Sequence, residues 1–165
     1  MGRQVIVKSP GKIYIAGEYA VVEGGSAILF PIGRFVEVRL EEASENLLLS
    51  HKYSSKFTNL DLLQEEAEYK YIVKTLNWFN LYLEELGKSA IKYKVEIKSE
   101  LDSNENKKYG FGSSAAIIIA LLKALFTFHN LFFNNLILYK ASVMIQSTIS
   151  KYTSFGDLAC IAYEE

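Results

Sequence analysis

The sequence predicts an α+β domain in which a mixed sheet is covered on one face by helices. Three observations lead there. The N-terminal part alternates apolar and polar residues with period two. From Tyr69 onward the apolar residues recur at helical spacing, broken by one further alternating strand. A glycine-serine segment, Gly110 to Ser114, then runs directly into an apolar helix.

Taken in order, Val5 to Lys8 is a short strand and Lys12 to Val22 a longer extended segment, closed by the Gly24-Gly25 turn. Ala27 to Ile32 and Phe35 to Leu40 are the next strands. In the latter, Val36, Val38 and Leu40 face one way and Glu37 and Arg39 the other. Leu47 to Leu49 extends the sheet. Tyr69, Ile72, Val73, Leu76, Phe79, Leu83 and Leu86 mark a helix, with Gly87 where a C-terminal cap belongs. Ile91, Tyr93, Val95 and Ile97 alternate with Lys92, Lys94, Glu96 and Lys98 as a half-buried strand. Asp102 to Lys108 is a polar loop. Ser114 to Phe128 and Asn135 to Gln146 form two helices, and Ser154 to Tyr163 opens on a Ser-Phe-Gly-Asp turn.

Composition narrows the function classes. The chain has 165 residues, enough for one domain with its own core, and a formal net charge of -1 that offers no global field for nucleic acid. A single cysteine, Cys160, fits a reducing cytosol and excludes an internal disulfide framework. His51 and His129 have no Cys or acidic partner at metal-ligand spacing. No signal peptide is read at the N-terminus, and the longest apolar run, Ala115 to Leu122, falls far short of the ~20 residues a membrane span requires. A cytoplasmic protein with no membrane partner is expected. The two helices from Ser114 to Gln146 nevertheless carry more large apolar groups than one face of each can bury against a single sheet. An exposed patch, and self-association of the chain, are expected from that excess.

Two segments carry chemistry: Pro10-Gly11-Lys12 through Val22, and Lys107-Lys108-Tyr109-Gly110-Phe111-Gly112-Ser113-Ser114-Ala115-Ala116. In the second, glycine lets backbone amides approach an anion, and the first helical turn presents N–H groups without internal partners. Ser113 and Ser114 also have a plain alternative role as helix caps. The ordered pair of motifs resembles the GHMP kinases, the superfamily of galactokinase, homoserine kinase, mevalonate kinase and phosphomevalonate kinase. Within it, Ser9 to Val22 and Ser99-Glu100-Leu101-Asp102 leading into Lys107 to Gly110 are most similar to the bacterial phosphomevalonate kinase branch.

The resemblance implies a ribosomal-S5-domain-2-like N-terminal lobe over residues 1–165, with the C-terminal lobe and its own glycine-rich motif outside this chain. It implies ATP-dependent phosphoryl transfer to 5-phosphomevalonate, giving 5-diphosphomevalonate in the mevalonate route to isoprenoids, with ATP and Mg²⁺ as cofactors. Gly110, Gly112, Ser113 and Ser114 would then hold the ATP phosphates, and the two serines would help place the metal. Lys12 would be the catalytic lysine at the junction of two anions, and Asp157 would orient it. Lys107 and Lys108 would add charge for the acceptor phosphate, and Tyr19 is assigned to packing or to lining the substrate. Gln146 stands about where sister kinases carry a metal-binding glutamate, and Ser150-Lys151-Tyr152-Thr153 replaces the family's glycine-rich run. Mevalonate kinase remains an alternative, with Asp157 as a base, as does a truncated lobe that binds nucleotide or a partner without turnover. RNA binding by an S5-like fold is discouraged by the balanced charge.

Overall fold

The computed structural model describes residues 3–64, 66–102, 109–150 and 153–164. Five strands, β1 (Gln4–Ala16), β2 (Ile28–Glu42), β3 (Leu47–Ser50), β4 (Thr58–Asn59) and β5 (Tyr93–Ser99), form one sheet in the order β1-β2-β5-β3-β4. All pairings are antiparallel except β3 with β5, so the sheet is mixed. Four helices, α1 (Lys70–Glu85), α2 (Ser113–Phe128), α3 (Asn135–Ile149) and α4 (Gly156–Ala162), complete the fold.

Register explains which face is covered. Val7, Val38 and Ile97 stand side by side across three strands, as do Val5, Leu40 and Val95, and these join the core. The opposite face carries a lattice of charge, with Lys8 bonded to Glu37 at 3.3 Å and Glu96 reached by Arg39, His51 and Lys98. Helices therefore lie on one face only. Among them α2 is central, packing on β1 and β2 below and on α1, α3 and α4 above.

That second layer corrects the expectation of unburied apolar groups on the paired helices. Ile118, Ile119, Leu121, Leu122, Leu125 and Phe126 are all 0% exposed. One buried face per helix is too few for α2, which packs on β1 and β2 and on α1, α3 and α4, leaving Ile117, Lys123 and Thr127 in contact with solvent. Large apolar side chains that stay exposed include Phe132, with Leu136 and Met144 of α3, and Ile15, Ile28 and Phe30 at the free end of the β1–β2 ribbon.

Other boundaries differ for local reasons. The two N-terminal segments are one strand, irregular between Pro10 and Gly11, and the next two likewise merge into β2. Pro10 is tolerated because β1 is an edge strand. The extended reading through Val22 fails: β1 ends at Ala16, and Ala20–Glu23 is a 3-10 turn. The cause is Gly17, whose φ of +81° turns the chain so tightly that a Cβ there would lie 2.2 Å from the Ser26 carbonyl. Apolar Val21 and Val22 read as strand by propensity, but that turn overrides them. Helix α1 ends as expected, with Gly87 at φ +68° and the Lys88 N–H returning to the Leu83 carbonyl.

Candidate active site

The two chemistry-bearing segments meet because β1 and the glycine loop are bonded together. The Lys12 N–H donates to the Phe111 carbonyl at 2.9 Å. Close approach is possible because neither Gly11 nor Gly112 has a side chain. A Cβ on Gly11 would lie 2.8 Å from the Phe111 carbonyl oxygen, and one on Gly112 would lie 3.0 Å from both Cγ and Cε of Lys12.

Lys12 consequently runs its stem under the loop and is only 4% exposed. Its Nζ is 3.0 Å from Oδ1 of Asp157 in the first turn of α4, and lies 4.3 Å from the centre of the Tyr14 ring. The ring faces the ammonium with its electron-rich surface. Burial pushes the Tyr14 phenol above its ordinary pKa, partly opposed by a hydrogen bond with Ser154 and assisted by the Asp157 charge. The turn that presents Asp157 places Phe155 at φ +55°, a left-handed conformation unusual outside glycine.

The helix N-terminus opposite is open. Gly112 is the N-cap of α2, at φ +73°, and among the described residues no side chain caps the helix. The first internal bond is that of the Ala116 N–H to the Gly112 carbonyl, which leaves the amides of Ser113, Ser114 and Ala115 ahead of it. The serines therefore do not cap. The Ser113 hydroxyl instead donates to Oδ2 of Asp102 at 2.9 Å. Asp102 also accepts Lys52 Nζ through Oδ1 at 2.8 Å and the Ser99 hydroxyl at 3.1 Å. Burial would raise the Asp102 pKa, but the hydrogen bonds of Lys52 and Ser113 outweigh it and hold the carboxyl below its usual range.

These groups line one cleft of about 540 Å³, whose wall includes Lys12, Lys52, Asp102, Gly112, Ser114 and Asp157. Gly110 and Ser113 line it as well. Tyr19 does not: it is 86% exposed and packs little, while its neighbour Glu18 reaches the cleft. Lys107, Lys108, Lys151 and Tyr152 lie outside the described residues. Gln146 sits in α3 and is not part of the cleft wall. His51 pairs with Glu96 on the outer sheet face and His129 with the Tyr93 hydroxyl, both away from the cleft. Among the described residues no group of three or more His, Cys, Asp or Glu side chains is placed to hold a metal. Asp102, Lys52 and Tyr14 join the site without having been expected there from the sequence. Asp102 stood in the quoted Ser-Glu-Leu-Asp motif with its partner Ser99, but its charge partner Lys52 is fifty positions away.

The described residues contain no helix long and apolar enough to cross a membrane. Comparison with known proteins identifies the family. The phosphomevalonate kinase of Streptomyces sp. is 25% identical over 96% of this chain and 47% of its own length. The mevalonate kinase of Methanocaldococcus jannaschii is 26% identical over 97% of the chain and 52% of its own. Thus the chain spans about half the length of these curated relatives. A structure of Streptococcus pneumoniae phosphomevalonate kinase in complex with phosphomevalonate and AMPPNP superposes with a TM-score of 0.85, at 27% identity, over 96% of this chain and 47% of that one. Residues 70–165 match the family described as GHMP kinases N terminal domain, and the chain belongs to the GHMP kinases.

Proposed function

We propose that this chain is the ATP-binding lobe of a phosphotransferase that moves the γ-phosphoryl group of Mg·ATP onto phosphomevalonate, giving diphosphomevalonate. The observation that carries the reading is the buried Lys12, paired with Asp157 at 3.0 Å beside the uncapped amides of α2. Phosphoryl transfer needs positioning and charge neutralisation more than covalent chemistry. The amides of Ser113, Ser114 and Ala115 would hold phosphate oxygens, and Lys12 would meet the charge at the point of transfer. A phosphate acceptor has its second pKa near ~6, so it is largely ionised at neutral pH and asks for a cation rather than a base. Asp157 then orients Lys12. Mg²⁺, when bound, neutralises phosphate charge and is usually held by one or two carboxylates with the phosphates themselves. Ser114 and the one-third-exposed Asp157 are hard oxygen donors that fit such an ion.

The second reading, mevalonate kinase, is favoured by a relative of that activity matching as much of the chain. There the acceptor is an alcohol and Asp157 would take its proton. In either case residues 1–165 would be one lobe of a cytoplasmic enzyme. A second lobe, or another copy of the chain, would cover apolar residues such as Ile15 and Phe30. The test is ADP release from Mg·ATP with each acceptor, by the chain alone and with a second-lobe polypeptide, alongside light scattering. Turnover restricted to phosphomevalonate supports the first reading. Turnover with mevalonate alone supports the second, and nucleotide binding with no turnover by either preparation leaves a non-catalytic lobe.

A further inference from the structure

We propose that Asp102 is a positioning residue for the phosphate loop, holding the Ser113 hydroxyl from a nearly buried carboxylate that Lys52 anchors to the turn after β3. The inference rests on reading Gly110 to Ser114 as the phosphate site.

Asp102 joins three separate parts of the fold. Its Oδ2 accepts from Ser113 at 2.9 Å and from Ser99, at the end of β5, at 3.1 Å. Its Oδ1 accepts from Lys52 at 2.8 Å. The Ser99 hydroxyl in turn accepts the Leu101 N–H at 3.2 Å. The Asp102 side chain is only 9% exposed, and a carboxylate so enclosed persists only when its oxygens are paired. Here both oxygens are.

The consequence falls on Ser113. A serine hydroxyl has one proton, and Ser113 donates it in a hydrogen bond to the carboxylate, so the side chain is pinned and that proton is not offered to a ligand in the cleft. Ser113 is also the residue at which the backbone leaves the left-handed Gly112 and enters α2. Fixing its side chain fixes the orientation of the free amides that begin there. The other flank of the loop is held by the Lys12–Phe111 backbone bond, so the loop is clamped from both sides. The negative charge of Asp102 beside a helix N-terminus is favourable in itself. A mere staple would need only Lys52 and Asp102; positioning requires that the effect pass through Ser113.

The test combines ¹⁵N relaxation at Gly110 to Ala115 with titration of Mg·AMPPNP, in the wild-type chain, Asp102→Asn, Ser113→Ala and the double variant. Asp102→Asn should loosen these amides and weaken Mg·AMPPNP about tenfold, the scale of one charge-assisted hydrogen bond. Adding it to Ser113→Ala should cost less than about twofold more, because interacting partners are not additive. Should Asp102→Asn fail to fold, Ser113→Ala must loosen the same amides. Loop order unchanged from wild type, or losses that multiply in the double variant, would overturn the proposal. Loosened amides in a chain whose wild type binds no Mg·AMPPNP would support the positioning role and refute the phosphate-site reading alone.

Discussion

Replacing Lys12 by methionine separates its structural part from its chemical one. The Lys12 and Asp157 side chains are 5% and 36% exposed and their charges stand 3.0 Å apart. At an effective dielectric of ~20 that distance gives a gross attraction of ~5.5 kcal/mol. Dehydrating the buried ammonium costs several kcal/mol in the opposite direction, and Asp157 is open enough to rehydrate when its partner goes. Methionine keeps most of the stem's volume under Gly112, so Lys12→Met should change stability by no more than ~1.5 kcal/mol. Lys12→Ala leaves a void as well and should cost ~2 kcal/mol or more. Chemistry should respond differently. A cation at the meeting point of two anions is comparable to an oxyanion-hole donor, about 2.7–4 kcal/mol, so kcat should fall ~10²–10³-fold in Lys12→Met. Urea denaturation measures the first effect, and ADP release by the chain with a second-lobe polypeptide measures the second. A folded Lys12→Met protein with an unchanged turnover number would refute the reasoning.

Gly112→Ala should destabilise the chain by ~1–2 kcal/mol from the left-handed backbone alone, since φ is +73°, and should displace Lys12 from its 3.0 Å contact; thermal unfolding and loss of the Lys12 effect on turnover check both parts. Ser114→Ala should leave stability within ~0.5 kcal/mol, because Gly112 and not a serine is the helix cap, yet weaken Mg·AMPPNP binding by calorimetry. His129 is held below its ordinary pKa, first by burial and then by Lys88 and Arg3, with Nε2 2.5 Å from the Tyr93 hydroxyl. The unfolded chain therefore binds a proton near pH ~6.5 that the folded chain refuses. Its contribution should be fully present above that pH and shrink on acidification towards the folded value. Urea midpoints at neutral and mildly acidic pH should show this slope in the wild type and lose it in His129→Phe.

Much of the fold is legible locally. The alternation from Phe35 to Leu40 settles which sheet face is buried, the period change at Tyr69 locates α1, and Gly87 ends it, because each depends on neighbours within a few residues. The Gly110 to Ser114 segment likewise announces a loop entering a helix, and its place in the cleft follows. Val21 and Val22 misled, since the Gly17 turn onto Ser26 is a close approach that propensity does not contain. By itself, then, the sequence determined the elements, the glycine loop and the family resemblance. The resemblance already set Asp157 beside Lys12, and the structure brings the two to 3.0 Å. Only the tertiary structure decided that Asp102 meets Lys52, fifty positions away. It also decided that α2 would be packed between the sheet and three other helices. Such pairings are set by how strands register and helices stack, and a buried charge is stable only beside whatever partner that packing delivers.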